Sequence, residues 1–132
     1  MRESDPLTFD LRAALDPNLP IDAALLFRNS GAPLALWTRK GASSEVLTVM
    51  ASTLMASTDM ILEVFGEIRP AAFALETDHR FLVFRRIGPQ VTLALIAPTF
   101  VGRARVEAEA ERLADAARLA DPGFSGPRPG SR

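Results

Sequence analysis

The sequence predicts an α/β (α+β) fold with three layers, α/β/α, in which one antiparallel sheet of five strands lies between helices. The first reason is the order of the segments, which is helix, strand, strand, long helix, three strands, helix. The second reason is that the strand segments are apolar on both faces, whereas a sheet with one wet face alternates apolar and polar residues. Such a sheet must be covered above and below, and the helices supply that cover.

The N-terminal part is predicted to form a short helix and a hairpin. Asp5-Pro6 combines an acidic cap with a proline at the first helical position. The apolar residues that follow at helical spacing are Leu7, Leu11, Ala14 and Leu15. Ala23 to Arg28 and Leu34 to Thr38 are the two strands, and the turn residues Asn29-Ser30-Gly31 between them indicate antiparallel pairing.

A long helix and an antiparallel meander follow the hairpin. Ser43 or Ser44 caps the helix, which runs to about Phe65 and stops at Gly66. The three later strands are predicted at Ala71 to Leu75, Phe81 to Phe84 and Val91 to Ala97. A parallel crossover needs about a dozen residues or more, and the gaps between these strands are shorter, so we expect an antiparallel meander.

The last helix is predicted to open at Pro98-Thr99 and to reach residue 120. Residues 121–132 are rich in proline, glycine and serine, a composition typical of a disordered tail. We therefore expect a single domain over residues 1–120 and a disordered C-terminal tail over residues 121–132.

The long helix has a wider apolar surface than one sheet can bury. Its charged residues between Ser43 and Phe65 are Glu45, Asp59 and Glu63, which share a polar strip with Thr48 and Ser52. On a wheel at about 100° per residue, apolar residues cover more than half of the circumference. The residues that cluster on one face are Val46, Leu47, Met50, Leu54, Ile61, Val64 and Phe65. A second surface must therefore cover the flanks of this helix.

Two interpretations of that surface stay open at this point. The favoured one is a helix–helix dimer interface, because small residues permit close approach and methionine adapts to irregular partner surfaces. The other is a helix buried more deeply within its own domain. On the first interpretation, the interface residues of this helix are Met50, Ala51, Leu54, Met55, Thr58, Ile61 and Leu62.

Composition argues against several classes of function. The formal net charge is −1, so there is no basic excess to neutralise phosphates, and we expect no nucleic-acid binding. The chain has no cysteine, which excludes a disulfide scaffold, a thiolate metal site and a cysteine nucleophile. No glycine-rich phosphate-binding run is present, so we expect no P-loop in this chain. We expect no cofactor and no metal.

The single histidine, His79, lies beside Asp78 in a predicted turn. Asp78 could orient the imidazole, but a catalytic triad or metal site needs further partners, and such a pair is usually turn chemistry. We therefore predict no catalytic residue and no enzymatic activity. The N-terminus is charged, and no segment approaches about 18 uninterrupted apolar residues, so we expect a cytoplasmic protein without membrane insertion.

Three arginines gather on one predicted hairpin, at Arg80, Arg85 and Arg86. They are candidate contacts for an acidic partner, or for a nucleotide that another protein holds. The alternative is a solvated sheet rim, which is the favoured reading.

In the order and the residue composition of these segments, the sequence resembles the roadblock / dynein light chain family of small dimeric domains. The similar parts are the hairpin AALLFRNSGAPLALW, the helix SSEVLTVMASTLMASTDMILEVFG, the meander AAFALETDHRFLVFRRIGPQVTLALIA and the closing helix. They cover about residues 7–120. One departure is the first turn, Asn29-Ser30-Gly31-Ala32-Pro33, where family members often have an Asp-Gly turn.

The resemblance implies a homodimer built by the long helix and the strand after it, Ala71 to Glu76, with Ala72 and Ala74 at the interface. It implies no catalytic residue. Because prokaryotic relatives serve as partners or activators of Ras-like small GTPases, our leading hypothesis is a homodimeric, non-catalytic adaptor that binds and regulates such a GTPase. The alternatives are a scaffold or dimerisation module without effect on nucleotide turnover and, less favoured, a small-ligand sensor.

Overall fold

The computed structural model describes residues 9–39, 43–67 and 70–125 of the chain. Its strands are β1 (Ala23–Arg28), β2 (Pro33–Thr38), β3 (Ala72–Glu76), β4 (Arg80–Arg86) and β5 (Val91–Pro98). They form one five-stranded sheet in the order β2-β1-β5-β4-β3. Every neighbouring pair is antiparallel, so the predicted hairpin and meander are confirmed.

The helices are α1 (Leu11–Ala14), α2 (Ser44–Val64) and α3 (Arg103–Ala120). The predicted start of the first helix at Asp5 lies outside the described residues. Within them, α1 begins after Asp10, whose side chain accepts a hydrogen bond from the Ala13 N–H. The limits predicted for the long helix are confirmed, because Ser43 caps α2 and Gly66 follows it with φ +76°.

The predicted start of the last helix at Pro98-Thr99 is wrong. Thr99–Val101 form a separate 3-10 turn, and α3 begins only at Arg103. Gly102 separates the two with φ +95°, a conformation that glycine adopts far more easily than other residues. Within the predicted disordered tail, Pro122–Ser125 form a short 3-10 helix, and residues 126–132 lie outside the described residues.

Two apolar layers pack on opposite faces of the sheet, as the apolar strands predict. On one face, α1 and α3 bury Leu11, Val106, Leu113 and their neighbours against β1, β4 and β5. On the other face, α2 buries Ala51 and Met55 against strand residues such as Phe84. The three-layer architecture is therefore confirmed, and among the described residues α2 is the helix that covers the second face.

A buried carboxylate attaches the N-terminal segment to α3. Glu109 is almost fully buried, and it accepts hydrogen bonds from the Asp16 N–H at 2.9 Å and from the Arg112 side chain. Arg112 Nη2 also donates to the Ala14 carbonyl at 2.6 Å. The hydrogen bonds that Arg112 donates to Glu109 raise the pKa of Arg112 above its ordinary value. This network holds the segment between α1 and β1 against the sheet layer.

Candidate interaction surface

The rotation of α2 about its axis decides which of its side chains a partner could reach. The buried side chains are Thr48, Ala51, Ser52 and Met55, which face the sheet. Two members of the predicted polar strip, Thr48 and Ser52, are therefore on the inner side of the helix. Burial of Ser52 is tolerated because its hydroxyl donates to the Val49 carbonyl within the same helix, at 2.9 Å.

The outward side of α2 is apolar and uncharged. Its large apolar residues are 54% to 80% exposed, and they are Val46, Val49, Met50, Met60, Ile61, Val64 and Phe65. Thr53 and Ser57 are the exposed polar residues between them. Monomeric proteins rarely expose so many large apolar side chains together, so this side of α2 is a candidate interaction surface.

An apolar groove of about 190 Å³ runs along one flank of α2. The groove lies between the helix and the middle of the sheet, and its lining includes Leu47, Met50 and Leu54 of α2. Leu82 and Phe84 of β4 and Ile96 of β5 form the opposite wall. The flank that faces β4 is therefore apolar, and β4 is the neighbour of the edge strand β3.

The edge strand β3 extends this apolar region to the rim of the sheet. Leu75, which is 42% exposed, pairs with the groove residue Leu82 on β4. Phe73 lies on the same face and stacks on Phe84, with ring centroids 4.7 Å apart and ring planes at 6°. The outward side of α2, the groove and the β3 edge form the candidate interaction surface.

The structure divides the predicted interface residues into three groups by their exposure. Met50 and Ile61 of α2 and Ala72 of β3 are exposed, while Leu54, Thr58, Leu62 and Ala74 are half-buried. Ala51 and Met55 are instead buried in the layer beneath α2, at 8% and 5% exposure. Both side chains contact the chain's own sheet, so the assignment of Met55 to a dimer interface is corrected, while Ala51 also lines the inner wall of the groove.

The three predicted partner arginines do not form one patch. Arg80 is half-exposed and its Nε lies 2.8 Å from Asp22 Oδ2. Arg85 pairs with Glu111 of α3 at 3.1 Å, on the other face of the sheet. Arg86 pairs with Asp59 of α2 at 2.8 Å and is only 12% exposed, so its assignment as a partner contact is corrected. The guanidinium of Arg86 instead attaches α2 to the sheet through its ion pair with Asp59.

His79 and Asp78 lie exposed in the turn before β4. Their backbone carbonyls accept hydrogen bonds from Thr99, whose N–H bonds to His79 and whose hydroxyl bonds to Asp78. Over residues 9–39, 43–67 and 70–125, no group of three or more His, Asp or Glu side chains is arranged to hold a metal ion. The role of this turn in the structure is to join β4 to the end of β5.

By length and composition, the stretch Glu45–Val64 of α2 is apolar enough to cross a membrane. However, α2 connects β2 and β3, which are the two edge strands of one sheet. A helix that crossed a bilayer would separate these strands by about 30 Å. The geometry therefore favours α2 as a layer of the domain rather than as a membrane span.

This geometry is shared with solved structures. A Roadblock/LC7 domain from Streptomyces avermitilis superposes with a TM-score of 0.71 at 20% identity, covering 84% of this chain and 97% of that one. The chain has the roadblock fold. An MglB with a tetrameric arrangement gives a TM-score of 0.69 at 22% identity, covering 77% of this chain and 79% of that one. The gliding protein MglB from Thermus thermophilus gives 0.67 at 21% identity, with the same coverage of both chains.

No protein-family model and no curated protein matches the sequence. The resemblance inferred from element order is therefore confirmed by three-dimensional structure, at the level of the fold. Sequence reasoning missed Val49, Met60, Val64 and Phe65 as exposed surface residues. The signal in the sequence was Ser52, because a serine hydroxyl that donates to a carbonyl of its own helix can face a sheet.

Proposed function

We propose that the chain is a homodimer that joins two copies through the candidate interaction surface. The observation that carries this proposal is the uncharged outward side of α2, which adjoins the groove and the β3 edge. Covering this surface with the same surface of a second copy would bury apolar side chains such as Met60, Val64 and Phe65. A symmetric dimer of this kind needs only a self-complementary patch.

The two edges of the sheet differ in a way that favours β3 as the pairing edge. β2 begins with Pro33, which has no N–H to donate, and its pairing with β1 is irregular at Leu26 and Phe27. Prolines and bulges of this kind protect edge strands from pairing with other chains. β3 pairs with β4 without irregularity and contains no proline, so its outer edge is suited to a second strand.

The acidic residues of α2 argue for a protein partner rather than a lipid surface. Glu45 and Glu63 are exposed on the flank of the apolar side. An anionic membrane would repel these carboxylates, whereas interfacial helices usually present Lys and Arg beside their apolar face.

The dimer would serve as a non-catalytic cytoplasmic adaptor that binds and regulates a Ras-like small GTPase. The fold shared with the MglB structures and the roadblock resemblance of the sequence support this part of the proposal. Regulation requires that the adaptor bind one nucleotide state of the GTPase more tightly than the other, because a ligand shifts an equilibrium only by its differential affinity. Arg80, which is half-exposed, remains a candidate contact for an acidic surface of that partner.

The test combines solution mass with nucleotide-dependent binding. Light scattering after size exclusion should give twice the chain mass. A Ras-like GTPase from the same genome, loaded with GDP or a non-hydrolysable GTP analogue, is then titrated with the dimer. We expect at least tenfold tighter binding to one state, and a changed rate of hydrolysis or exchange. Equal affinity for both states with unchanged turnover would instead support the scaffold function, and a monomeric mass would contradict the dimer.

A further inference from the structure

Arg85 of β4 has an unused donor close to the β3 edge. Its Nη2 bonds to Glu111 of α3, at 3.1 Å and 3.2 Å from the two carboxylate oxygens. Its Nε is buried and has no hydrogen-bond partner within the described part of the chain. A buried donor without an acceptor is destabilising, and a guanidinium is especially so. The position of Arg85 therefore favours an additional acceptor supplied from outside the chain.

A cavity of about 290 Å³ lies beside this guanidinium, and we call it the edge cavity. Its lining includes Ala72, Phe73, Val83 and Arg85 of the sheet and Arg103 and Glu107 of α3. Because Ala72 belongs to the outermost strand, the cavity reaches the open edge of the sheet. An acceptor carried by a strand that pairs with β3 could enter it.

The register of such a strand follows from symmetry. When a two-fold axis perpendicular to the sheet relates the two copies, the same face of each sheet lies on the same side of the joined sheet. Two residues that lie directly opposite each other across the β3 strands must therefore point to the same face. Ala72, Ala74 and Glu76 alternate with Phe73 and Leu75 along β3. Of the registers that satisfy this condition, only the one that sets Ala74 opposite Ala74 of the partner subunit pairs all five residues of β3.

This register brings Glu76 to the edge cavity of the second copy. Glu76 lies opposite Ala72 of the partner subunit, and Ala72 in turn neighbours Arg85 across β3 and β4. The backbones of the two charged residues are then separated by two strand spacings, about 10 Å, which extended Glu and Arg side chains can span. The intervening alanine leaves that path open. Glu76 is exposed, and within residues 9–39, 43–67 and 70–125 its carboxylate has no ion pair.

On the opposite face, the same register covers the exposed Leu75. Leu75 lies opposite Phe73 of the partner subunit, and the reverse pair follows by symmetry. Pairs of an aromatic and an aliphatic residue across antiparallel strands stabilise sheets. The register that fits the charged residues on one face therefore also fits the apolar residues on the other.

We infer that, in the dimer proposed above, the Glu76 carboxylate enters the edge cavity of the partner subunit and accepts a hydrogen bond from Nε of the partner subunit's Arg85. The inference rests on the proposed homodimer and adds the contact that fixes its register. Because the axis relates the copies, each dimer contains this ion pair twice.

Charge reversal tests this contact directly. The variants Glu76→Arg and Arg85→Glu each place like charges together in their own homodimers, so we expect each to raise the dimer Kd by tenfold or more, measured by sedimentation equilibrium. In an equimolar mixture, the heterodimer has an opposite-charge pair at both sites. We therefore expect the mixture to dimerise with nearly the wild-type Kd. The matched control is the pair Asp115→Arg and Arg28→Glu, exposed residues away from β3 and from α2, whose exchange should change neither homodimer nor mixture.

Neutral variants keep the test decisive if Arg85→Glu folds poorly beside Glu111. Glu76→Gln and Arg85→Gln should each raise the dimer Kd by about tenfold, and the double variant should raise it no further than either single variant. Reversed variants that dimerise as tightly as wild type, a mixture that does not recover, or additive neutral variants would overturn the ion pair while leaving the dimer intact. A monomeric wild type would instead contradict the proposed homodimer itself.

Discussion

Asp59 of α2 and Arg86 of β4 form an ion pair between the helix and the sheet, in which Nη2 of Arg86 lies 2.8 Å from Oδ1 and 3.1 Å from Oδ2 of Asp59. Nε of Arg86 donates to the Pro70 carbonyl at 3.2 Å. The carbonyl of Arg86 accepts a hydrogen bond from Arg118 of α3, at 3.4 Å. One residue of β4 therefore connects the layers on both faces of the sheet.

Removing the carboxylate of this pair should strongly destabilise the fold. Asp59→Ala leaves the mostly buried guanidinium of Arg86 without its counter-charge, and we expect the free energy of unfolding to fall by about 3 kcal/mol. Urea denaturation measures the change. Glu63→Ala, one turn later and exposed on the flank of the same helix, is the control and should change stability by less than about 0.5 kcal/mol. Equal effects of the two substitutions would contradict a structural role for the pair.

Substitution by aspartate should have different effects at two methionines of α2. Met60 is 66% exposed on the outward side and Met55 is 5% exposed beneath the helix. Met60→Asp should leave the chain folded and raise the dimer Kd by about a hundredfold or more, because it places a charge in an apolar interface. Met55→Asp should prevent folding. Circular dichroism and light scattering separate the outcomes, and a folded, dimeric Met60→Asp would contradict the proposed interface.

The hydroxyl of Thr92 in β5 is predicted to reduce stability. Thr92 is fully buried, and its Oγ1 has no hydrogen-bond partner within the described residues. Thr92→Val preserves the shape and removes the unpaired hydroxyl, so we expect a gain of about 1 kcal/mol in the free energy of unfolding. The control is Thr58→Val, because the Thr58 hydroxyl donates to the Leu54 carbonyl at 2.8 Å and should bring no gain. A loss of stability in Thr92→Val would show that the hydroxyl has an acceptor.

Glu109 should hold the N-terminal segment in place. Glu109→Ala leaves the Asp16 N–H and the Arg112 guanidinium without their shared acceptor, so we expect a loss of about 2 kcal/mol. Hydrogen exchange should rise at the Asp16 amide before it rises in the central strand β1. Glu107→Ala removes only an exposed pair with Arg103 and is the matched control. Unchanged exchange at Asp16 would contradict the attachment.

The order of the elements and the antiparallel sheet were predictable from local patterns. Short gaps between the segments at Ala71, Phe81 and Val91 leave no room for crossovers, and Gly66 stops α2 where φ becomes positive. The apolar composition of both strand faces required cover on both sides, which α2 and the pair α1 and α3 provide.

The orientation of α2 was not predictable in the same way. A helical wheel assigns Asp59 to the wet side, but the structure neutralises this carboxylate with Arg86, which is 27 residues away in sequence. Met55, which the sequence analysis assigned to the interface, therefore lies beneath the helix, whereas Met60, which that assignment omitted, is exposed. Ion pairs between distant segments cannot be read from a local pattern, so the helical wheel could not show that Met55 faces the chain's own sheet.

The unlike edges of the sheet set a limit on assembly. In the part of the chain that the structure describes, a dimer joined at β3 would have its two β2 strands as free sheet edges, each beginning at Pro33 next to an irregular pairing. Polymerisation by edge addition requires a free, regular strand after every step, and this dimer would have none. Assembly through sheet edges would thus stop at the dimer. This limit would protect a protein with so apolar a helix surface from forming fibres as its concentration rises.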